Sequence, residues 1–369
     1  MRLAIVGTRG VPASYSGFET CVESVGKRLA ARGHAITVYC RPGRTGQASR
    51  TYLGMRRITL PDIPTKGLET LSHSLLSTIH ATTVLRPDAV LVFGVGNAVF
   101  CPVFRRFGMP TAINVDGADW QRKKWGRLAR RFLRWSERVS SRANAVIADS
   151  RTVAAYYERS YQVPTVFIPY GADVPPDPGS AALDRFGLTP RRYLLAVGRF
   201  VPENGFEPLM RAYSRVKPDM PFVIVGDAPY SADFKRRLKG IAPAGVLFTG
   251  YQFGAAYHEL SAGAYAFVFG AEVGGTHPVL VEQLAHGNAI LARWTESNEE
   301  VMGSAGLLYR DAPELDARLG ELVRDRELAD QLRKRARQRA AAYSWDRVTD
   351  EYEALFQKLT SVGAGELAQ

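Results

Sequence analysis

The 369-residue chain has three cysteines, Cys21, Cys40 and Cys101, and none stands in a Cys-x-x-Cys pair. That spacing excludes a disulfide framework and a cysteine-held zinc site, and it suits a reducing compartment. Long apolar runs are missing as well. The longest, "AVLVFGVGNAVFCPVF" at 89–104, is too short to span a bilayer and is broken by glycines, Asn97 and Pro102. The opening residues do not follow the plan of a signal peptide, because Leu3–Val6 follow a single Arg2 and run straight into glycine loop chemistry. No short-period repeat is present, which rules out a solenoid. No helix-turn-helix, zinc-finger or RNP-type motif accompanies the basic charge, so a nucleic-acid partner is not expected. "GTRGVP" lacks the spacing of a dinucleotide fingerprint, and the second strand ends on Cys40-Arg41 rather than on an acid. A nicotinamide-dependent dehydrogenase is therefore disfavoured.

What is present fits a globular protein with an anionic partner. Apolar residues make up 46% and charged ones 23%, with a formal net charge of +12. The charge alone leaves three partners open: nucleic acid, a phosphorylated small molecule, or an anionic membrane face. The length predicts two domains of about 150–200 residues each.

Short β-branched runs alternate with helical stretches through both halves. "RLAIVG" (2–7), "AITVYC" (35–40), "PDAVLVFG" (87–94), "TAINVDG" (111–117), "NAVIADS" (144–150) and "TVFIPYG" (165–171) read as strands, with an amphipathic helix near 18–32 closed by Gly33. The stretch 171–190, rich in proline and glycine, reads as an interdomain connection. The alternation then restarts with "YLLAVGR", "PFVIVGD", "GVLFTG", "AYAFVFG" and "NAILA", and the end, 328–359, is strongly helical. Near-continuous apolar strands imply parallel sheets covered on both faces. The predicted fold is α/β, with two doubly wound, Rossmann-like domains at 1–175 and 190–344 and a terminal helical segment at 345–369. Ligands bind such sheets at the carboxyl ends of the strands.

Several glycines follow strands directly, and for each the plainer reading is turn-making. Two stretches are more pointed. In "GRFVPENG" (198–205), Arg199 sits at a strand's carboxyl end, where a guanidinium can grip phosphate oxygens with two parallel hydrogen bonds. In "FGAEVGGTHPVLVEQLAHGNAILA" (269–292), a flexible Gly-Gly-Thr loop leads to Pro278, suited to the first turn of a helix whose N–H groups would face an anion. Glu282 lies one turn inside that helix among apolar residues, placed to accept hydrogen bonds from sugar hydroxyls. The plainer reading is a solvated helix glutamate.

"GTRGVPASYSGFET", "VDGADWQRKKW", "IADS", "FIPYGAD", "VGRFVPENG", "VGDAP", "VGGTHPVLVEQLAHGNAILA" and "YSWDRV" occur in this order over nearly the whole chain. Together they resemble the retaining glycosyltransferase family 4, and within it the rhamnosyltransferase-like branch with an N-terminal domain of formerly unknown function. The resemblance implies the GT-B fold, an active site between two Rossmann-like domains, and metal-independent transfer from a nucleoside diphosphate sugar with no cofactor. It implies that Gly10, Gly17 and Glu19 belong to the glycine-rich loop approaching donor and acceptor, and that Arg199 stabilises the leaving diphosphate. Asp116 stands where many relatives have a histidine; accepting the hydroxyl proton, orienting the donor and stabilising oxocarbenium charge are all open to it. Glu282 matches the second glutamate of the family's Glu-x7-Glu motif, implied to hold the ribose. Gly274 takes the place of the first glutamate, and Asn204 that of the usual second phosphate-binding lysine, so each position has lost a charge. Phe269 and Ala271 replace the branch's usual histidines before the Gly-Gly loop. Gly274, Gly275 and Thr276 complete the implied donor site. The branch implies L-rhamnose from dTDP-rhamnose; UDP- or GDP-hexose donors, and a nucleotide-sugar epimerase of the same fold, are the alternatives.

One basic stretch, "RKKWGRLARRFLRWSERVSSR" (122–142), interleaves arginines with aromatics. Through Arg130, Arg131, Arg134 and Trp135 it suits an anionic bilayer and a lipid-linked or polysaccharide acceptor, placing the protein in the cytoplasm at the inner face of the plasma membrane. The other reading is a solvated helix with Leu128, Phe132 and Trp135 packed onto the sheet. "RKRARQR" (333–339) reads as a solvated helix face.

Overall fold

The computed structural model describes all residues except 14–16, 44–48, 66–67, 116, 118, 122–124, 175–176, 228–231 and 367–369, and it describes no side chains at 232 and 362–366. The chain divides into two compact units, Met1–Gly171 with Trp345–Gln369, and Ala172–Ser344.

The first unit holds strands β1 (Arg2–Val6), β2 (Ala35–Cys40), β3 (Thr51–Tyr52), β4 (Met55–Thr59), β5 (Ala89–Phe93), β6 (Thr111–Val115), β7 (Ala145–Ala148) and β8 (Thr165–Phe167). They form one sheet in the order β3-β4-β2-β1-β5-β6-β7-β8, parallel throughout except for the β3/β4 hairpin. Its helices are α1 (Gly17–Ala31), α2 (Glu69–His80), α3 (Cys101–Arg106), α4 (Arg127–Ser140) and α5 (Arg151–Tyr161). The central strands are apolar at nearly every position because both sheet faces are covered. One core lies beneath α1, and a second beneath the helices that follow α2.

The second unit begins with α6 (Ala181–Phe186) and continues with β9 (Leu194–Val197), α7 (Phe206–Val216), β10 (Phe222–Val225), α8 (Ala232–Gly240), β11 (Val246–Gly250), α9 (Gly254–Gly263) and β12 (Ala266–Phe269). Then come α10 (Pro278–Ala285), β13 (Ala289–Arg293), α11 (Glu296–Met302), β14 (Gly306–Tyr309), α12 (Ala312–Arg324) and α13 (Arg326–Ala340). Its sheet is wholly parallel, in the order β11-β10-β9-β12-β13-β14. The stretch expected as a connection belongs, from Ala172 on, to this unit. Glu259 accepts the backbone N–H of Ala182, which ties α6 to α9, and the Ala172 N–H donates to the Tyr343 carbonyl at 2.8 Å. Proline and glycine signal turns, and they do not report that a short helix between them finds a partner.

The last helix, α14 (Trp345–Glu366), returns to the first unit and packs on α1. Trp345, Val348, Tyr352 and Phe356 recur at helical spacing and are buried. The Trp345 ring rests on Gly171, where a Cβ would stand 2.8 Å from the indole. The Tyr352 hydroxyl accepts from Asn114 Nδ2 at 2.9 Å, and the Cys21 thiol points at the same oxygen at 3.8 Å. Burial holds that thiol up at about 12, so it stays protonated and a donor. Outside this core Arg28 pairs with Asp346 at 2.7 Å, and Arg32 with Asp350 at 2.7 Å. Exposed pairs of this kind contribute little next to the buried aromatics. Phe356→Ala is therefore expected to destabilise the first unit by about 3–5 kcal/mol, and Asp346→Ala by less than about 1 kcal/mol. Urea unfolding midpoints with unchanged slopes would check both.

Candidate active site

Strand order locates the site. From β9 the chain winds outward through β10 to β11, then returns to β12 on the other flank of β9. The loops after β9 and β12 thus leave adjacent strands in opposite directions, and ligands lodge at such a switch point. Both loops are held together by main chain. The Glu272 N–H donates to the Glu203 carbonyl at 3.0 Å. Gly205, with φ of +67°, lies so close that a Cβ would sit 2.5 Å from the Gly270 carbonyl oxygen. Gly226, after β10, has φ of +153°, and a Cβ there would meet the Gly198 oxygen at 1.8 Å. Only glycine fits at these contacts.

On this frame Arg199 stands half-buried directly beyond β9. Asn204 donates its amide to the Arg199 carbonyl at 2.8 Å, so its nitrogen holds the loop's shape. Beyond β12, Gly275 and Thr276 are buried, and Gly274 has φ of +145° with its α-carbon facing the His277 ring. His277 packs edge-on to Phe269, 5.0 Å between centroids. Helix α10 then starts at Pro278, and the side chain of its N-cap residue, His277, makes no capping hydrogen bond. An uncapped start carries partial positive charge and N–H groups aimed outward, which suits an anion. Beside it, after β10, Asp227 is paired with Lys235 at 2.7 Å.

Glu282, one turn into α10, is half-buried. The Tyr257 hydroxyl of α9 donates to its Oε2. Gln283 Nε2 donates to the same hydroxyl at 3.2 Å and to Ser261 Oγ at 2.9 Å, while Asn288 Nδ2 donates to Gln283 Oε1 at 2.6 Å. Tyr257 is thus fixed by a network and in turn fixes one carboxylate oxygen. Burial pushes the Glu282 carboxyl up to about 7, and the Tyr257 hydrogen bond works against the rise. One turn further on, His286 Nε2 shares a hydrogen bond with His258 Nδ1 at 3.1 Å. Burial lowers both rings, His286 to about 4, so both are neutral near pH 7. Tyr257 carries no sequence signal, because its contact with Glu282 spans 25 residues between two helices. A further aromatic pair at the same sheet edge, Tyr251 stacked on Phe253 at 5.7 Å just beyond β11, is exposed. The only trace of it in sequence is two aromatics directly after Gly250.

The other predicted residues lie in the first unit. Gly10 follows β1 with φ of +103°, and a Cβ there would strike the Cys40 thiol at 2.4 Å. Gly17 opens α1, and Glu19 is buried in its first turn. These three stand beside the first sheet's own switch point, between β1 and β5. Asp116 lies outside the described residues. Among the described residues no three His, Cys, Asp or Glu side chains gather as metal ligands.

Helix α4 overturns one expectation. Its packed stripe is Leu133, Ser136, Glu137 and Ser140, whereas Leu128 is 85% and Trp135 54% exposed. The reason is Glu137, whose buried carboxylate accepts from Tyr156 at 2.9 Å and from Tyr161. The two serines let the helix sit close on its neighbours; Phe132 packs against the core as expected, while Leu128 and Trp135 turn outward. Arg130 and Arg131 are exposed, and the Arg134 guanidinium lies 3.7 Å over the Trp120 ring.

Comparison with known proteins agrees with this geometry. Residues 191–325 match the family model described as "Glycosyl transferases group 1", and residues 1–173 match a domain of unknown function, DUF1972. The fold is GT-B: sucrose-phosphate synthase from Thermosynechococcus elongatus superposes with a TM-score of 0.84 at 21% identity, over 98% of this chain and 99% of that one. Anabaena HepE, crystallised with UDP and glucose, gives 0.79 at 16% identity, over 97% of this chain and 100% of that one. An uncharacterised glycosyltransferase of Bacillus subtilis is 29% identical over 130 residues, 34% of this chain and 35% of the relative. The chain spans about a third of the length of the curated relatives it matches.

Two outcomes follow from this frame. Gly226→Ala is expected to lower the thermal midpoint by several degrees, because its Cβ must displace the Gly198 carbonyl and the Arg199 loop with it. Glu282 binds its proton more tightly folded than unfolded, so it costs stability progressively as pH rises from about 4.5 to about 7. Glu282→Gln should therefore gain stability over the parent across that interval and hold the gain above it, as read by urea unfolding at pH 5 and pH 8.

Proposed function

We propose that the protein transfers a sugar from a nucleoside diphosphate donor to a lipid-linked or polysaccharide acceptor, retaining anomeric configuration and using no metal ion. One observation carries the reading. Arg199 and the Gly274–Thr276 loop, which ends at the uncapped start of α10, stand on two hydrogen-bonded loops at the switch point of the second sheet. As the bond from sugar C1 to phosphate oxygen breaks, negative charge grows on the diphosphate, and the Arg199 guanidinium with the loop N–H groups is placed to receive it. The Glu282 oxygen not taken by Tyr257 would accept from ribose hydroxyls. The Tyr251 and Phe253 rings offer the nucleobase a stacking face.

The first unit is assigned the acceptor, and Gly10, Gly17 and Glu19 the loop that approaches donor and acceptor. Asp116 would accept the acceptor's proton, orient the donor or stabilise positive charge on the sugar. The donor we favour is dTDP-L-rhamnose, on the resemblance of the chain's motifs to the rhamnosyltransferase-like branch. A UDP-hexose is the second reading, favoured by the UDP and glucose in the HepE crystal. None of the described helices is long and apolar enough to cross a membrane. We place the protein in the cytoplasm at the inner membrane face, with the arginines of α4 toward anionic lipid.

A panel of nucleotide sugars, scored by calorimetry and by product formation, tests the donor. Arg199→Ala is expected to weaken nucleoside diphosphate binding about 10- to 100-fold, the loss of a charge-assisted pair. Unchanged affinity removes its phosphate role. EDTA should leave turnover unchanged, and the anomeric coupling of the product by NMR reports retention or inversion.

A further inference from the structure

Helix α2 is inside out. Residues 70–85, "TLSHSLLSTIHATTVL", contain no Asp, Glu, Lys or Arg. Its buried side is His73, Ser74, Ser77 and Thr78, and its outer side carries Leu75, Leu76, Ile79 at 51% exposure and, on the π-turn that continues it, Val84 at 68%. A solvated surface helix shows the reverse pattern. Two of the buried hydroxyls are satisfied within the helix: Ser77 donates to the His73 carbonyl at 2.8 Å, and Thr78 to that of Ser74 at 2.7 Å. His73 is held to the Cys40 carbonyl at 3.0 Å and, by burial, kept neutral. The polar side of α2 is thus turned inward, with the Ser74 hydroxyl and His73 Nδ1 buried without a partner, and the large apolar side chains are turned outward. Among the described residues, the turn Val95–Phe100 packs against both α2 and α4 and runs straight into α3, so these elements share one side of the sheet. There α3 adds exposed Val103 and Phe107, bordered by exposed Arg86, Arg105 and Arg106.

We propose that the outer face of α2 inserts into the acyl boundary of an anionic bilayer, with the bordering arginines at the phosphates. Charge complementarity selects this occupant. Residues 70–142 hold twelve Lys or Arg against four Asp or Glu, and one of those four, Glu137, is buried. A two-fold pairing of this face with a second copy would set the arginine borders against each other, which disfavours self-association. The inference shares with the functional reading only the choice of an anionic bilayer. It adds a depth-seeking element to the charged surface of α4, and the two make different contributions: insertion resists salt, while attraction by arginine does not.

The test uses the full chain and phosphatidylcholine vesicles with and without phosphatidylglycerol. The native cysteines are buried, so Ile79→Cys can carry an environment-sensitive dye. A blue shift is expected with the anionic vesicles. Leu75→Ser with Ile79→Ser should weaken vesicle binding about tenfold or more at low and high salt alike, given roughly 0.8 kcal/mol per buried methylene. Both positions are exposed, and unchanged urea midpoints would confirm intact folding. Pelleting of that double variant equal to the parent overturns the proposal. So does a blue shift that appears without vesicles and tracks a monomer–dimer transition in sedimentation. Arg130→Glu with Arg131→Glu separates the readings: no effect there, beside weakened binding of the α2 variant, removes the role of α4 and leaves that of α2 standing.

Discussion

In the second unit, backbone approaches backbone at two points where no side chain fits, Gly205 against Gly270 and Gly226 against Gly198. These contacts draw the turns after three neighbouring strands into one edge, and the Glu272–Glu203 hydrogen bond closes it. Everything that gives the edge chemical character depends on that closeness. Arg199 emerges where it does because Asn204 grips its carbonyl, and the loop before α10 is short enough to leave the helix start uncapped. An edge built this way presents few side chains, and packing sets the positions of its main-chain N–H groups; under the proposed function that is how the site avoids reorganising as charge develops.

Acids held by tyrosine hydroxyls mark the second theme. Glu282 and Glu137 each sit among apolar neighbours, and each is held by tyrosine hydroxyls. At Glu137 two tyrosines and close helix packing absorb the carboxylate into the architecture of the first unit. At Glu282 one tyrosine takes one oxygen, and that tyrosine is itself fixed by Gln283. The same chemistry serves packing in one unit and a candidate site in the other. The difference lies in whether the carboxylate sits beside the loops at a switch point.

The first unit shows a separation of faces. Under α1 and α14 lies an apolar core closed by Trp345, Tyr352 and Phe356, with the Arg28–Asp346 and Arg32–Asp350 ion pairs at its rim. On the side of α2 to α4 the outward surface combines arginine with leucine, isoleucine and tryptophan. Two helices reach that composition by opposite routes, α2 by turning serine and threonine inward and α4 by burying a glutamate.

Local chemistry was legible in the chain. Apolar β-branched runs can satisfy themselves only in a covered parallel sheet, so the α/β class and the places of Arg199, the Gly-Gly-Thr loop and α10 followed from spacing. Glycines at 205 and 226 were readable as turns, but their indispensability was not, since it comes from a carbonyl belonging to another loop. The α6 helix, the rotation of α4 and the inversion of α2 depend on partners distant in sequence: Glu259 for the first, Tyr156 and Tyr161 for the second, the helix's own carbonyls and Cys40 for the third. So did the hold of Tyr257 on Glu282. Periodicity reports that a helix has two faces, and long-range hydrogen bonds decide which of them turns inward.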